Sequence, residues 1–142
     1  MTTKPPPIYD QLTDESQKAS LPWILFFNET YDGDAGQSWE PNFVSLTTTG
    51  TPTITGRYYR LTKYWTLFSV NITPATDVSA TAGTTYIDNY PLTFSNDGIV
   101  FAVTGNLGDG PGHIVASNNR IYIPSLSAVT VPITLIGLAE TS

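Results

Sequence analysis

Hydrophobic and polar residues alternate along most of the chain after Asn42, with the period of two that is typical of β-strands. The clearest example is the segment 64–73. One set of its alternating positions is apolar or small and predicts a face toward the core: Tyr64, Thr66, Phe68, Val70 and Ile72. The other set begins with Trp65 and becomes polar toward Thr73, as expected for a strand that is half exposed to solvent.

Similar short segments, separated by turn residues, follow one another toward the C-terminus. A strand is predicted over 42–46, and two strands within 51–73 are predicted to meet at a turn near 61–63. The segment 99–104 is apolar on both faces, which predicts a central strand. The polar, proline-containing segment 74–83 is predicted to be a loop.

Two further segments contain residues that restrict strand formation. Residues 105–112 include four glycines and are predicted to form a long turn. The last predicted strand, over 129–135, contains Pro132, which has no backbone N–H to donate, so this strand is predicted to be at an edge or bulged. About eight short strands with turn signals at regular intervals predict a mainly β fold, an antiparallel β-sandwich of the jelly-roll type.

The segment 20–34 has a different pattern, in which aromatic residues recur at helical spacing. Trp23, Phe26, Phe27 and Tyr31 lie on one predicted helical face, and Gly33 ends the helix. A helix of about ten residues is not stable alone. We therefore expect this face to pack either on the chain's own β-domain or on symmetry mates or another protein.

Three consecutive prolines, Pro5 to Pro7, predict an extended N-terminus, either a disordered tail or a strap that orders on a partner. In the second case its anchors would be Ile8, Tyr9 and Leu12. The predicted organisation is an extended docking arm over 1–19, a short helix and linker over 20–38, and the β-sandwich over 39–142.

The charge distribution excludes some classes of partner. Only 13% of the residues are charged. Residues 1–40 carry two basic and seven acidic residues, whereas residues 41–142 carry four and five. Six cations in all are too few for a track along phosphates, so nucleic-acid binding is not expected. The longest apolar run, Trp23 to Phe27, is far shorter than a bilayer span, so membrane insertion is not expected either.

Side chains able to carry out catalysis are scarce. His113 is the single histidine, and no nucleophile motif accompanies it. The carboxylates of the β-region that could form a glycosidase pair lie mostly in turn contexts, where Asp stabilises backbone geometry: Asp77, Asp88, Asp97 and Asp109. We therefore predict no enzymatic activity, no metal site and no cofactor.

Aromatic residues in the β-region have two interpretations. Packing in the core or at an interface is the simpler one. The other is a set of platforms on which sugar rings stack, with these candidate glycan contacts: Trp65, Tyr86, Tyr90 and Tyr122.

Several motifs resemble those of bacteriophage tail-fibre and related virion proteins. They are a W-x-P segment at Trp39 to Pro41, a G-x-P-x-x-x-G-R-Y-x-R arm from Gly50 to Arg60, the segment 82–94 and the closing segment 118–137. The segment 22–34 is similar to the aromatic helix that often precedes such domains. One departure is the turn at 61–63, which lacks the usual glycine or asparagine and is expected to be wider.

The resemblance implies a homotrimeric, β-rich fibre on the exterior of a phage particle, made in the host cytoplasm. The arm would bind a tail adaptor, a portal-region protein or a capsid protein, and the aromatic helix would contribute to the trimer. A short tail fibre is the expected function. The alternatives are a head fibre or capsid decoration protein, and a carbohydrate-binding module for glycans on the host surface.

Overall fold

The computed structural model describes residues 36–104 and 107–142. The predicted docking arm, its anchors Ile8, Tyr9 and Leu12, and the predicted aromatic helix lie outside the described residues. Within the described part the chain is mainly β, with antiparallel pairing throughout. None of the helices in this part is long and apolar enough to cross a bilayer.

The described residues contain twelve strands and one short 3-10 helix. The strands are β1 (Gln37–Trp39), β2 (Phe43–Val44), β3 (Thr47–Thr49), β4 (Thr53–Arg60), β5 (Trp65–Thr73), β6 (Asp77–Ala80), β7 (Tyr86–Ile87), β8 (Gly98–Thr104), β9 (Leu107–Val115), β10 (Arg120–Tyr122), β11 (Leu126–Val129) and β12 (Ile133–Glu140). The 3-10 helix spans Ala116–Asn118, between β9 and β10.

Nine of these strands form one main sheet in the order β1-β4-β5-β12-β8-β9-β10-β7-β2, and the other three form a small sheet in the order β11-β6-β3. The two edge strands of the main sheet, β1 and β2, are joined by only three residues, 40–42. Nine strands laid flat would separate these edges by about 38 Å. Four residue steps reach at most about 14 Å. The main sheet must therefore curl until its two edges approach each other.

The core lies on the concave side of this curl. Strand β5 contributes every second residue to this core, as its sequence predicts. The neighbouring strands β12 and β8 also contribute alternate residues. The small sheet adds Val78 and Leu126. The largest fully buried side chains include Phe68, Val70, Ile72, Ile87, Val100, Ile114, Ile121, Ile133 and Leu135. Burial of one such side chain stabilises the fold by about 1.5–3 kcal/mol.

The β4–β5 hairpin confirms the turn expected near 61–63 and its greater width. Four residues, 61–64, connect the strands. The backbone N–H of Leu61 donates to the carbonyl of Trp65 at 2.9 Å, and the Thr62 hydroxyl accepts from the N–H of Trp65 at 3.1 Å. Tyr64 lies in this turn and is exposed, so it does not belong to the core face that the alternation predicted.

Strand β1 pairs with β4, so strand structure begins two residues before the predicted start of the β-sandwich at residue 39. Two of the loop predictions are wrong. Residues 77–80 form β6, which pairs with both β3 and β11 in the small sheet. Most of the glycine-rich segment 105–112 belongs to β9, where Pro111 lies opposite Phe101.

The predicted last strand, 129–135, is also wrong in its position. Residues 126–129 form β11 in the small sheet, and β12 begins only at Ile133. Strand β12 lies in the interior of the main sheet between β5 and β8. Pro132 immediately precedes β12, so its missing N–H removes no hydrogen bond from this strand.

Candidate functional site: an apolar face of the main sheet

The outer face of the main sheet carries a row of large apolar side chains across three adjacent interior strands, β5, β12 and β8. Leu138 on β12 lies directly opposite Leu67 on β5 and Ile99 on β8. Ile136 lies opposite Phe101 on β8. Directly opposed residues in an antiparallel pair point to the same face. These side chains therefore form one contiguous surface.

We call this surface the outer apolar patch and define it as Trp65, Leu67, Ile99, Phe101, Ile136 and Leu138. Five of the six side chains are 43–55% exposed, and Leu67 is half-buried between its neighbours. A half-exposed aromatic or aliphatic side chain leaves roughly 100 Å² in contact with water, so the patch exposes on the order of 500 Å². This area is at the upper end of what monomeric proteins expose.

Charged groups near the patch form hydrogen bonds with neighbouring residues. Glu140, at the end of β12, accepts a hydrogen bond from the Asn96 side chain at 2.6 Å. The carboxylate of Asp97 accepts one from the backbone N–H of Ala116 at 2.8 Å. Both residues contribute to the rim of a shallow depression in the patch.

The same outer face continues from the patch into a row of stacked rings. Ile99 lies opposite His113 on β9, His113 lies opposite Tyr122 on β10, and Tyr122 lies opposite Tyr86 on β7. The rings of His113 and Tyr122 are stacked, with centroids 4.9 Å apart and planes at 7°. Those of Tyr122 and Tyr86 are 5.2 Å apart and tilted by 49°. We call His113, Tyr122 and Tyr86 the ring row.

Arg120 adds a positive charge to the end of the ring row. Its guanidinium lies over the Tyr86 ring, 4.2 Å from the centroid. A hydrogen bond between the side chains of Arg120 and Tyr122 lowers the pKa of Tyr122 and raises the pKa of Arg120. The Asn118 side chain also donates to the Tyr122 hydroxyl, at 3.3 Å. The polar edge of this row is therefore held in place.

The structure does not bring the four candidate glycan contacts together. Trp65 lies in the outer apolar patch, four strands away from Tyr122, or about 19 Å along the sheet. Tyr86 and Tyr122 do adjoin, but Tyr122 stacks on His113 and Tyr86 lies under Arg120, so a ring face of each is occupied.

Tyr90 is in the core and has no surface on which a sugar could stack. It is only 5% exposed, stacks on Phe94 with centroids 4.7 Å apart, and contacts Trp39 edge to face. Its hydroxyl has no hydrogen-bond partner among the residues that the structure describes. Burial, together with Tyr58, raises the pKa of Tyr90, and Arg60 opposes this effect. The prediction of Tyr90 as a surface contact is therefore wrong.

Three of the four aspartates of the β-region stabilise loops and strand ends, as the turn contexts of Asp77 and Asp97 predicted. Asp77 accepts from the Thr49 hydroxyl at 3.1 Å, Asp88 accepts from the Asn42 side chain at 2.8 Å, and Asp97 makes the contact given above. Within the described ranges no three metal-ligating side chains cluster.

No known protein family, curated protein or solved structure matches the chain. The resemblance to phage fibre proteins therefore rests on the sequence motifs alone.

Five residues of the outer apolar patch were missed as functional candidates: Leu67, Ile99, Phe101, Ile136 and Leu138. The signal that could have identified two of them is the segment 99–104, whose apolar residues on both faces predicted burial on both faces. In the folded chain one of these faces is covered by the core and the other is exposed.

Proposed function

We propose that the chain is a structural protein of a bacteriophage particle, a short trimeric fibre on the exterior of the virion. The N-terminal arm anchors it to a tail or capsid protein. The curled main sheet and the small sheet act as a jelly-roll-like sandwich that projects from the particle. The motifs that resemble phage fibre proteins support this proposal.

The outer apolar patch is the observation that carries the proposal. Exposed apolar surface of this size is costly in water, at roughly 25 cal/mol per Å². Its burial in an assembly would remove this cost, and the low charge of the chain suits a protein whose surface is partly covered by other subunits.

Light scattering of the purified full-length chain tests this function. We expect the protein in solution to have three times the 15.4 kDa mass of one chain, at concentrations from about 1 µM upward. A chain without residues 1–19 should remain a trimer, with three times its own smaller mass, and should no longer be incorporated into phage particles. A monomer at every concentration would contradict the trimer, and incorporation of the shortened chain would contradict the anchoring role of the arm.

A second candidate function, glycan binding, is favoured by the ring row and Arg120. A guanidinium can pair with a carboxylate, and an aromatic ring offers an apolar surface beside it, so this arrangement suits a saccharide that bears a carboxylate. We expect a glycan array to detect such a ligand, with binding lost in Tyr122→Ala and retained in Trp65→Ala. Trp65 is the matched control because it is a large aromatic residue on the same outer face, four strands away. An array without signal, or equal loss in both variants, would contradict this function.

A further inference from the structure

We propose that the outer apolar patch is the surface through which copies of this chain pack against one another, with β12 closest to the symmetry axis. This inference rests on the proposed oligomeric function and assigns its interface.

The first argument is the composition of the outer face on β5, β12 and β8. Its residues are the patch, Val103 and polar, uncharged neighbours, and the single charged member is Glu140, which accepts a hydrogen bond from Asn96. Cores of protein interfaces are depleted in charged residues, and those between identical subunits are the more apolar. A partner recognised through its charge would find few complementary groups here. A second copy of the same apolar surface needs no complementary charged groups.

The second argument is the area. A stable interface buries about 800 Å² on each partner. The patch supplies on the order of 500 Å², nearly all of it apolar. The flanking strands extend the same face with Tyr59 on β4, opposite Leu67, and with His113 on β9, opposite Ile99. With roughly 100 Å² from each of these two residues, the surface that one copy contributes approaches 800 Å² in total.

The third argument is the hydrogen bonding of the strands that carry the patch. Strands β5, β12 and β8 each have a paired neighbour on both sides. No backbone edge is available there for an added strand, so contact must be made through side chains.

The arrangement around an axis follows from the order of the strands. Ile136 and Leu138 on β12 are central, with the β5 side chains on one flank and the β8 side chains on the other. In a cyclic oligomer one flank of each copy meets the other flank of the next copy. Trp65 and Leu67 of one copy would then pack against Ile99 and Phe101 of its neighbour.

Cysteine cross-linking tests this interface directly, since the natural chain contains no cysteine. Ile136→Cys places a thiol near the proposed axis. Val131→Cys is the matched control, because Val131 is equally exposed (45% against 43%) but lies outside the patch, ahead of β12. Under mild oxidation of the full-length protein, we expect Ile136→Cys to form disulfide-linked dimers at least tenfold faster than Val131→Cys. Equal rates would overturn the proposal.

Charge insertion provides a second readout. We expect Ile136→Asp to raise the concentration needed for half-maximal oligomer at least a hundredfold, and Val131→Asp to leave it unchanged, as measured by light scattering. Circular dichroism of each variant checks that the fold is retained. An oligomer that tolerates Ile136→Asp would overturn this interface while leaving the proposed fibre function intact. A monomeric natural chain would instead overturn the proposed trimer itself.

Discussion

Replacement of Phe68 by alanine is expected to cost about 3–5 kcal/mol of the free energy of unfolding. Phe68 is fully buried at the centre of β5. Its ring lies 5.2 Å from that of Tyr90 and 6.4 Å from that of Trp39, so it joins the main sheet to the aromatic cluster at the sheet's edge. Removal of the ring leaves a cavity that these neighbours can fill only in part.

The same ring explains a glycine in the middle of a neighbouring strand. Gly137 on β12 lies directly opposite Phe68, and a Cβ atom at position 137 would overlap the Phe68 ring. We therefore expect Gly137→Ala to destabilise the natural protein by about 1–3 kcal/mol through overpacking. In the Phe68→Ala background the added methyl group enters the cavity, and its cost should disappear or become a small gain.

Denaturant unfolding of the natural protein, the two single variants and the double variant measures this coupling. The expected interaction energy is about 1–3 kcal/mol in favour of the double variant. The comparison requires no assumption about the absolute stability, because each variant is measured against the same natural chain. Additive costs would mean that the ring and the glycine do not share space.

The core face of β5 could be predicted from the sequence because it depends on a local pattern. Thr66, Phe68, Val70 and Ile72 alternate with more polar residues, and all four are buried. The second half of β12 could not be predicted in this way. Gly137 and Ala139 are inward-facing but small, and at Gly137 the Phe68 ring occupies the space that a larger side chain would take. The large apolar residues of that segment point outward.

Other differences arise because strand pairing is not local. Residues 77–80 are mostly small or polar, and they become a strand because β3 and β11 provide partners from distant parts of the sequence. The outer apolar patch has a similar origin. The apolar residues on both faces of 99–104 indicate a strand that is buried on both faces, whereas only one face is buried in the described part of the chain. The proposed packing between copies would provide the second cover, which the described residues of one chain do not supply.

Gly112→Ala is expected to be among the most damaging single substitutions, costing about 3 kcal/mol or more. A Cβ atom at position 112 would overlap the backbone carbonyl oxygen of Tyr122 on β10 and approach Val100 to 2.8 Å. The neighbouring pair His113–Tyr122 belongs to the β9–β10 ladder, so the carbonyl can retreat only if that pairing is disturbed. Loss of the pairing would also disturb the ring row, since its members depend on this register.

Gly98→Ala is the matched control, because Gly98 is also a strand glycine of the main sheet without a positive φ. There the nearest atom to a new Cβ is the terminal Cδ1 of Ile114, at 3.3 Å, and a side-chain end can move by a few tenths of an ångström. Replacing glycine by alanine also lowers the entropy of the unfolded chain, a gain of about 0.4–1 kcal/mol. Gly98→Ala should therefore remain within about 1 kcal/mol of the natural protein in denaturant unfolding. Equal losses for the two variants would show that the fixed carbonyl at Tyr122 is not the reason that β9 contains a glycine at position 112.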